Sequence, residues 1–422
     1  MRIIICYSLC YLFLFSLHFV FLPIRIRTIL ALYGLFHLYH NFKYISLPKT
    51  EKKKWRSLLH IFLLFMAVVF VSTIINLNFD AEYYKYPIKV IISFTSAYGL
   101  LKIIQKLLRM EINQHTIIKL IIIVTVIECI LTVMLHLIPS LKNVLFGLLN
   151  VSDLAAYAIE KEEFNRMTGL GAKFFSGGVF MALGIFYVSL MINRLSGIIR
   201  LLGLFLALLL ILLVGSAIAR TTLVGVLGFI IVFFMPSKGK SFLKSNKIQL
   251  LFLFFLFSLV SYKIYIYYIE QNPLFEVAAK RAFSIVSTYQ ETAEMQSKES
   301  MVGDYTVPDN MKTWIIGDAQ MADPKDPVMG RYKGIDIGIW EFVWGYGIIG
   351  LVLYSLIQFY FCKLAGFRRI EYWTLFVMYI IFMNKGPVSY DLLLSLFIML
   401  PIYNSIEKNK LRYSHQSIIS TK

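Results

Sequence analysis

An all-α integral membrane protein with about 12 transmembrane helices and both termini in the cytoplasm is the fold predicted for this chain. Three observations predict it. Hydrophobic residues make up 58% of the 422 positions and charged residues only 16%, whereas a soluble domain carries about 25% charged residues. So few charges cannot cover a globular surface. The apolar residues also fall in runs near the roughly 20 residues that cross a bilayer. Finally, the basic residues segregate to one set of the loops between those runs. Disordered, fibrous and disulfide-scaffold classes are excluded with the soluble one, since Cys6, Cys10, Cys129 and Cys362 lie in or beside apolar runs without disulfide or metal spacing.

Twelve apolar runs are read along the chain, at roughly 3–22, 28–42, 57–76, 89–104, 118–138, 174–192, 201–215, 221–235, 248–268, 335–361, 372–383 and 388–405. The second, seventh, eighth and eleventh are short, half-buried or strongly tilted. The first begins behind Arg2 as a signal peptide does. Its apolar stretch is too long, and no small-residue cleavage site follows, so it is kept as a helix.

With a cytoplasmic start, the segments 49–56, 102–110, 193–200, 237–247, 363–369 and the tail fall on the inner side. Together with Arg2 and the helix ends they hold 24 Lys and Arg against Glu51, Glu111, Glu371 and Glu407. The opposite side holds 18 Lys and Arg and 18 Asp and Glu. Basic residues near short loops set orientation, so this asymmetry supports both the topology and the count. The net charge of +18 therefore reads as topology and anionic-lipid contact, not as a nucleic-acid surface.

The reading treats 1–422 as one polytopic membrane domain with two long external loops, 139–173 and 269–334. The second is expected to contain short helices, among them an amphipathic stretch at 277–295, before a Pro/Gly/Asp-rich part at 323–334. No repeat relates the two halves of the chain, although many transporters are built from such repeats.

Three places carry candidate chemistry. Arg166 and Lys173 lie in RMTGLGAKFFSGG (166–178), where two cations and four glycines at a helix entrance suit either an anion site or a pair of interfacial anchors. Arg220, in VGSAIARTTLVG (214–225), has almost no loop around it; an ionisable group at such depth is either functional or snorkels to the outer interface. The segment 313–350 brings Asp318, Asp323, Asp326, Arg331, Lys333, Asp336 and Glu341 to the mouth of an aromatic, glycine-bearing helix. Asp323 and Asp326 read as solvated loop charges. Asp336 and Glu341, entering the tenth run, are costlier to place. Inside the runs, Glu128 is assigned to a polar group of a neighbouring helix and Asp391 to Lys385, both as packing interactions.

RMTGLGAKFFSGG, the Arg220 turn, the IIGDAQ segment and D-x-G-x8-G-I-I-G (Asp336 to Gly350) together resemble the O-antigen and capsular polysaccharide polymerases, which share a superfamily with the O-antigen ligases. The resemblance extends over roughly 139–361. It includes arginine-to-glycine spacings of ten and fifteen intervening residues, met by Arg166 to Gly177 and Arg331 to Gly347. It departs from the pattern at Ala219, where the family usually has Ser before the arginine.

The resemblance implies a bacterial inner-membrane glycosyltransferase acting at the external, periplasmic face on undecaprenyl-diphosphate-linked oligosaccharides. The growing chain moves from its lipid diphosphate to a hydroxyl of a new repeat unit. Arg166, Lys173, Arg220 and Lys333 would then hold the diphosphate, with Arg331 among the catalytic residues as a further cation. Asp336, then Glu341, would accept the acceptor's proton. No metal and no cofactor are expected. The partners expected are the lipid-linked oligosaccharides, membrane lipid, a chain-length regulator and a flippase, but no nucleic acid.

Two rivals stand beside this reading. The first is an O-antigen ligase, whose functional histidine in the large loop has no counterpart in 269–334. The second is a lipid-linked oligosaccharide flippase or transporter, which explains the span count but not the missing repeat, the long loop or the lack of paired broken helices.

Overall fold

The computed structural model describes residues 1–149, 167–171, 174–194, 197–234, 248, 307–323, 326–335 and 337–420. The ninth apolar run beyond Ile248, the amphipathic stretch at 277–295, and Arg166, Lys173 and Asp336 lie outside these residues. The described chain is overwhelmingly helical, and six of its helices are long and apolar enough to cross a membrane. Those six are spans three to seven and span ten of the sequence reading. The chain forms two compact units, one of Met1–Val124, Ile138–Lys161 and Val307–Lys422, the other of Thr125–Leu137 and Glu162–Thr306.

The first unit contains α1 (Arg2–Phe15), α2 (Ile26–Asn41), α3 (Lys49–Asn76), α4 (Ala81–Leu108) and the start of α5 (Gln114–Leu137). It continues with α6 (Pro139–Gly147), and the second unit supplies α7 (Phe174–Ile192), α8 (Ile198–Ile218) and α9 (Leu223–Phe234). The chain then returns to the first unit with α10 (Met311–Ile316), a small antiparallel hairpin of β1 (Ala322–Asp323) and β2 (Asp326–Arg331), α11 (Gly338–Leu364), α12 (Arg369–Met383) and α13 (Asp391–Ser420).

In the first unit α4 is central, packed by α1, α2 and α13. Its crossing with α2 is backbone against backbone: a Cβ at Gly34 would strike the Thr95 carbonyl, and one at Gly99 the Leu30 carbonyl. Small residues allow this approach, which gains the dispersion contacts that hold membrane helices together where lipid removes the hydrophobic drive. On the other side of α4 an aromatic core joins α3 and α11. Tyr83 and Tyr346 stack at 4.4 Å, Phe342 meets Tyr354 at 4.5 Å, and Phe65 packs on Tyr346 at 5.3 Å. The Tyr346 hydroxyl donates to the Tyr83 carbonyl, as a fully buried phenol must find an acceptor. Leu32, Leu35 and Phe36 of α2, and Leu59, Leu63, Leu64, Phe70 and Ile74 of α3, remain exposed. Apolar patches of this size outside a packed interior are what a lipid-facing surface presents.

Several helix limits differ from those read in the sequence. The first run extends apolar to residue 22, yet α1 stops at Phe15. Ser16 turns left-handed (φ 50) and returns its N–H to Leu12 O at 3.0 Å. The chain beyond pairs instead with the end of α6, through Val20 N–H to Leu148 O at 3.0 Å. In the other direction, α3 starts at Lys49, inside the basic segment expected to be a loop, and α13 runs on to Ser420. Charged residues do not stop a helix; they only leave the hydrocarbon. The described part of 269–334 holds the short helix α10, a 3₁₀ turn at Tyr332–Gly334 and the hairpin; short helices were expected there, a hairpin was not.

Candidate functional site

The second unit builds one candidate site at the turn between α8 and α9. Ala219 is extended (φ −159, ψ 140), and Arg220–Thr222 form a single 3₁₀ turn before α9 begins. Thr222 Oγ1 donates to Gly215 O at 2.8 Å and Ala219 N–H to the same carbonyl at 2.9 Å, so the last turn of α8 is satisfied from both sides. A Cβ at Gly178 of α7 would strike Thr221 Oγ1, so α7 lies directly against this turn. Arg220 itself is exposed and makes no ion pair among the described residues.

The glycine segment of RMTGLG comes to the same place. Met167, next to Arg166 in sequence, donates its N–H to Ala217 O at 3.1 Å, three residues before Arg220. Glu128 of α5, with its side chain wholly buried, accepts the Gly171 N–H at 2.9 Å through Oε1. There is no room for a side chain at Gly169, where a Cβ would strike that carboxylate. Loop backbone is thus one partner of Glu128, beside the neighbouring helix expected from the sequence. Glu128→Leu removes the acceptor from a part-buried N–H, a loss of about 1–3 kcal/mol. Its thermal midpoint in detergent is expected to fall, while Glu128→Gln, which keeps an acceptor oxygen, falls less; equal midpoints for Leu and wild type would count against the role.

The first unit builds a second cluster, in which a strap of residues 317–322 lies between the α3–α4 turn and α11. The turn is NLNFD (76–80). Asn76 Nδ2 donates to Gly317 O at 3.0 Å and Asn78 Nδ2 to Gln320 Oε1 at 3.0 Å. Asp80 caps α4 through Glu82 N–H at 2.9 Å and takes the Met321 and Ala322 N–H groups at 2.6 and 2.9 Å on its other oxygen. On the far side α11 is broken at Gly347 (φ 69, ψ 178). Asp318 N–H donates to Trp344 O at 2.8 Å and Ala319 N–H to Gly345 O at 3.1 Å. Irregular backbone at membrane depth persists only where protein satisfies it, and the strap does so here.

The Asp318 carboxylate accepts from Thr313 Oγ1 at 2.5 Å and from the Tyr332 hydroxyl at 3.0 Å. Burial and the neighbouring Asp318 charge push the Tyr332 hydroxyl up to about 12, so at neutral pH it remains a donor. Lys333, left-handed at φ 58, holds its ammonium 5.5 Å from the Tyr332 ring centre and 5.4 Å from that of Trp344. Trp344 and Tyr332 meet edge to face at 5.9 Å, as do Trp314 and Trp340.

Of the residues singled out from sequence, Arg220 lies in the second unit, and Lys333 and Glu341 in the first. Glu341 is 8% exposed in the first turn of α11. Arg331 closes β2, opposite Ala322, and its side chain is outside the described part. Asp391 does not pair with Lys385. It accepts from Ser93 Oγ of α4 at 2.5 Å, while Lys385 is exposed. Asp80, Asn76 and Asn78 were missed, although three short polar residues in a five-residue turn between two spans were a usable signal. No group of three or more His, Cys, Asp or Glu is placed to hold a metal ion among the described residues. In comparisons with known proteins, no family model, no curated protein and no solved structure matches this chain.

Proposed function

We propose that this protein is a membrane glycosyltransferase that polymerises undecaprenyl-diphosphate-linked oligosaccharide repeat units into an O-antigen or capsular polysaccharide. The observation that supports it best is the Met167–Ala217 hydrogen bond. It joins the glycine segment after Arg166 to the helix end before Arg220, two cation-bearing stretches about fifty positions apart in sequence. Two guanidinium-bearing segments meeting at a helix end suit a diphosphate, because the planar fork matches phosphate oxygens.

In the proposed reaction a hydroxyl of the incoming repeat attacks the anomeric carbon of the growing chain. One glycosidic C–O bond forms and the anomeric C–O bond to the diphosphate breaks, its electron pair leaving on undecaprenyl diphosphate. The hydroxyl proton passes to a carboxylate base, the part that the family resemblance gives to Asp336 first and Glu341 second. Fixed positive charge from Arg166, Lys173 and Arg220 would stabilise the leaving diphosphate as its charge develops. The reaction belongs at the external face of a bacterial inner membrane. A reporter fused after Lys298 is therefore expected outside and one after Lys240 inside; cytoplasmic activity at both would remove the twelve-span topology.

The direct test is reconstitution. Purified protein in lipid vesicles, supplied with single lipid-linked repeats, should yield longer chains and release one undecaprenyl diphosphate per bond formed. Transfer only to a lipid A core acceptor would identify a ligase. Movement of the lipid across the bilayer without elongation would identify a flippase, the reading that the broken helix at Gly347 favours, since interrupted helices line transporter sites. Against that second reading, the break is filled by the 317–319 backbone.

A further inference from the structure

We infer that the aromatic shelf along the start of α11 is a sugar-binding subsite that seats a pyranose ring of the oligosaccharide on the half-buried rings of Trp314, Trp340 and Tyr332, backed by the buried Trp344, with Lys333 and Asp318 as its polar contacts. The inference rests on the proposed oligosaccharide substrate and adds where the glycan is held.

Trp340 and Trp344 are four residues apart on α11, so they stand one above the other on one helix face. Each is met edge to face by a ring from the large loop, Trp314 for the first and Tyr332 for the second. The result is a row of four rings in a chain with only five tryptophans, three of which are used here. A membrane-interface belt is the ordinary reason for such residues. A belt ring floats its body in the headgroup region and keeps its N–H for water. Here Trp344 is 6% exposed, and the Trp314 N–H is already spent on Pro308 O at 2.8 Å. Lys333 also adopts an uncommon backbone conformation for a residue with a Cβ, and this brings its ammonium over two of the rings. Conformations of this kind persist where surrounding structure over-determines them, and they cluster at ligand sites.

The chemistry of the row suits a sugar. A pyranose has an apolar C–H face that lies on an aromatic ring and hydroxyls around its edge. Half-buried Trp314, Trp340 and Tyr332 offer rings, the half-buried Asp318 carboxylate offers an acceptor, and exposed Lys333 offers a donor. Apolar walls with a few placed polar groups are the usual composition of a small-ligand site. The Asp318 carboxylate is oriented beforehand by Thr313 and Tyr332, which fixes the direction from which a hydroxyl can approach.

The test is quenching of tryptophan emission in the purified full chain by oligosaccharides released by mild acid from the source cells' own surface polysaccharide. Saturable quenching is expected. Trp314→Ala and Trp340→Ala should each weaken it by about tenfold, the loss of roughly one stacked ring. Trp314→Phe and Trp340→Phe keep a ring and should stay near wild type, as should Trp373→Ala on α12. If the alanine variants fail to fold, Lys333→Met, an exposed position, carries the test and should weaken binding several-fold. Unsaturable quenching of the wild type, or wild-type affinity in the folded Trp314→Ala and Trp340→Ala variants, overturns the subsite. Saturable binding at these residues by a protein that elongates nothing would instead overturn the polymerase and leave the subsite standing.

Discussion

Arg220→Ala is expected to reduce chain elongation by about 100-fold or more, the loss that follows removal of one fixed group from a developing negative charge. Arg220 is exposed and makes no ion pair among the described residues, so the variant should fold and reach the membrane in normal amount. The turn around it is held by Thr222, Gly215 and Ala219, none of which needs the guanidinium. Arg220→Lys should recover only part of the rate, because an ammonium supplies charge without the two-pronged geometry that fits phosphate. The measurement is chain length on gels from membranes given purified lipid-linked repeats. A second readout is the release of undecaprenyl diphosphate. If the alanine variant extends chains at close to the wild-type rate, Arg220 is an interfacial anchor and the leaving-group argument fails.

Gly347→Ala is expected to destabilise the first unit by about 3 kcal/mol or more, from a strained left-handed residue and an overpacked contact acting together. Gly347 sits at φ 69 in the break of α11, and a Cβ there would strike the Ile315 carbonyl. Gly317 faces it from the strap at φ 75, where a Cβ would strike the Gly345 carbonyl, so Gly317→Ala should be comparably damaging. Gly203 of α8 is the control. It has a helical backbone and open space around it, so Gly203→Ala should gain about 0.5–1 kcal/mol from lost unfolded-state freedom. Thermal midpoints of the detergent-solubilised variants read all three. Midpoints at or above wild type for Gly347→Ala would mean that the strap and α11 are not in contact.

Much of the fold was legible because lipid imposes a simple rule on sequence. A helix must hide its backbone from hydrocarbon and present apolar side chains all round, so α3, α4, α5, α7, α8 and α11 appear as long apolar runs whatever their neighbours do. Helix ends were less legible. Ser16 ends α1 within an apolar stretch, and the chain beyond it pairs through Phe19 and Val20 with Leu148 and Leu149, just past α6 and far along the chain. The basic residues of 49–56 looked like a loop, but they continue α3 beyond the apolar run that carries the signal.

The candidate sites divide along the same line. The residue types and their order came from the sequence alone: a cation beside glycines at 166–178, a lone arginine between two runs at 220, and aromatics and carboxylates crowded into 313–350. Which of them meet was decided only by tertiary structure. Met167 reaches Ala217 from about fifty residues away, and Gly171 finds its acceptor in Glu128 of α5. Asp80 holds the strap at Met321 and Ala322, 241 and 242 positions downstream. The physical reason is that burial in lipid is a property of a residue and its near neighbours, which composition and period record. A hydrogen bond between distant segments depends on where two backbones cross. Those crossings are set at glycines such as Gly34, Gly99, Gly317 and Gly347, where what matters is the absence of a side chain, and an absence leaves no chemical type in the sequence to name its partner.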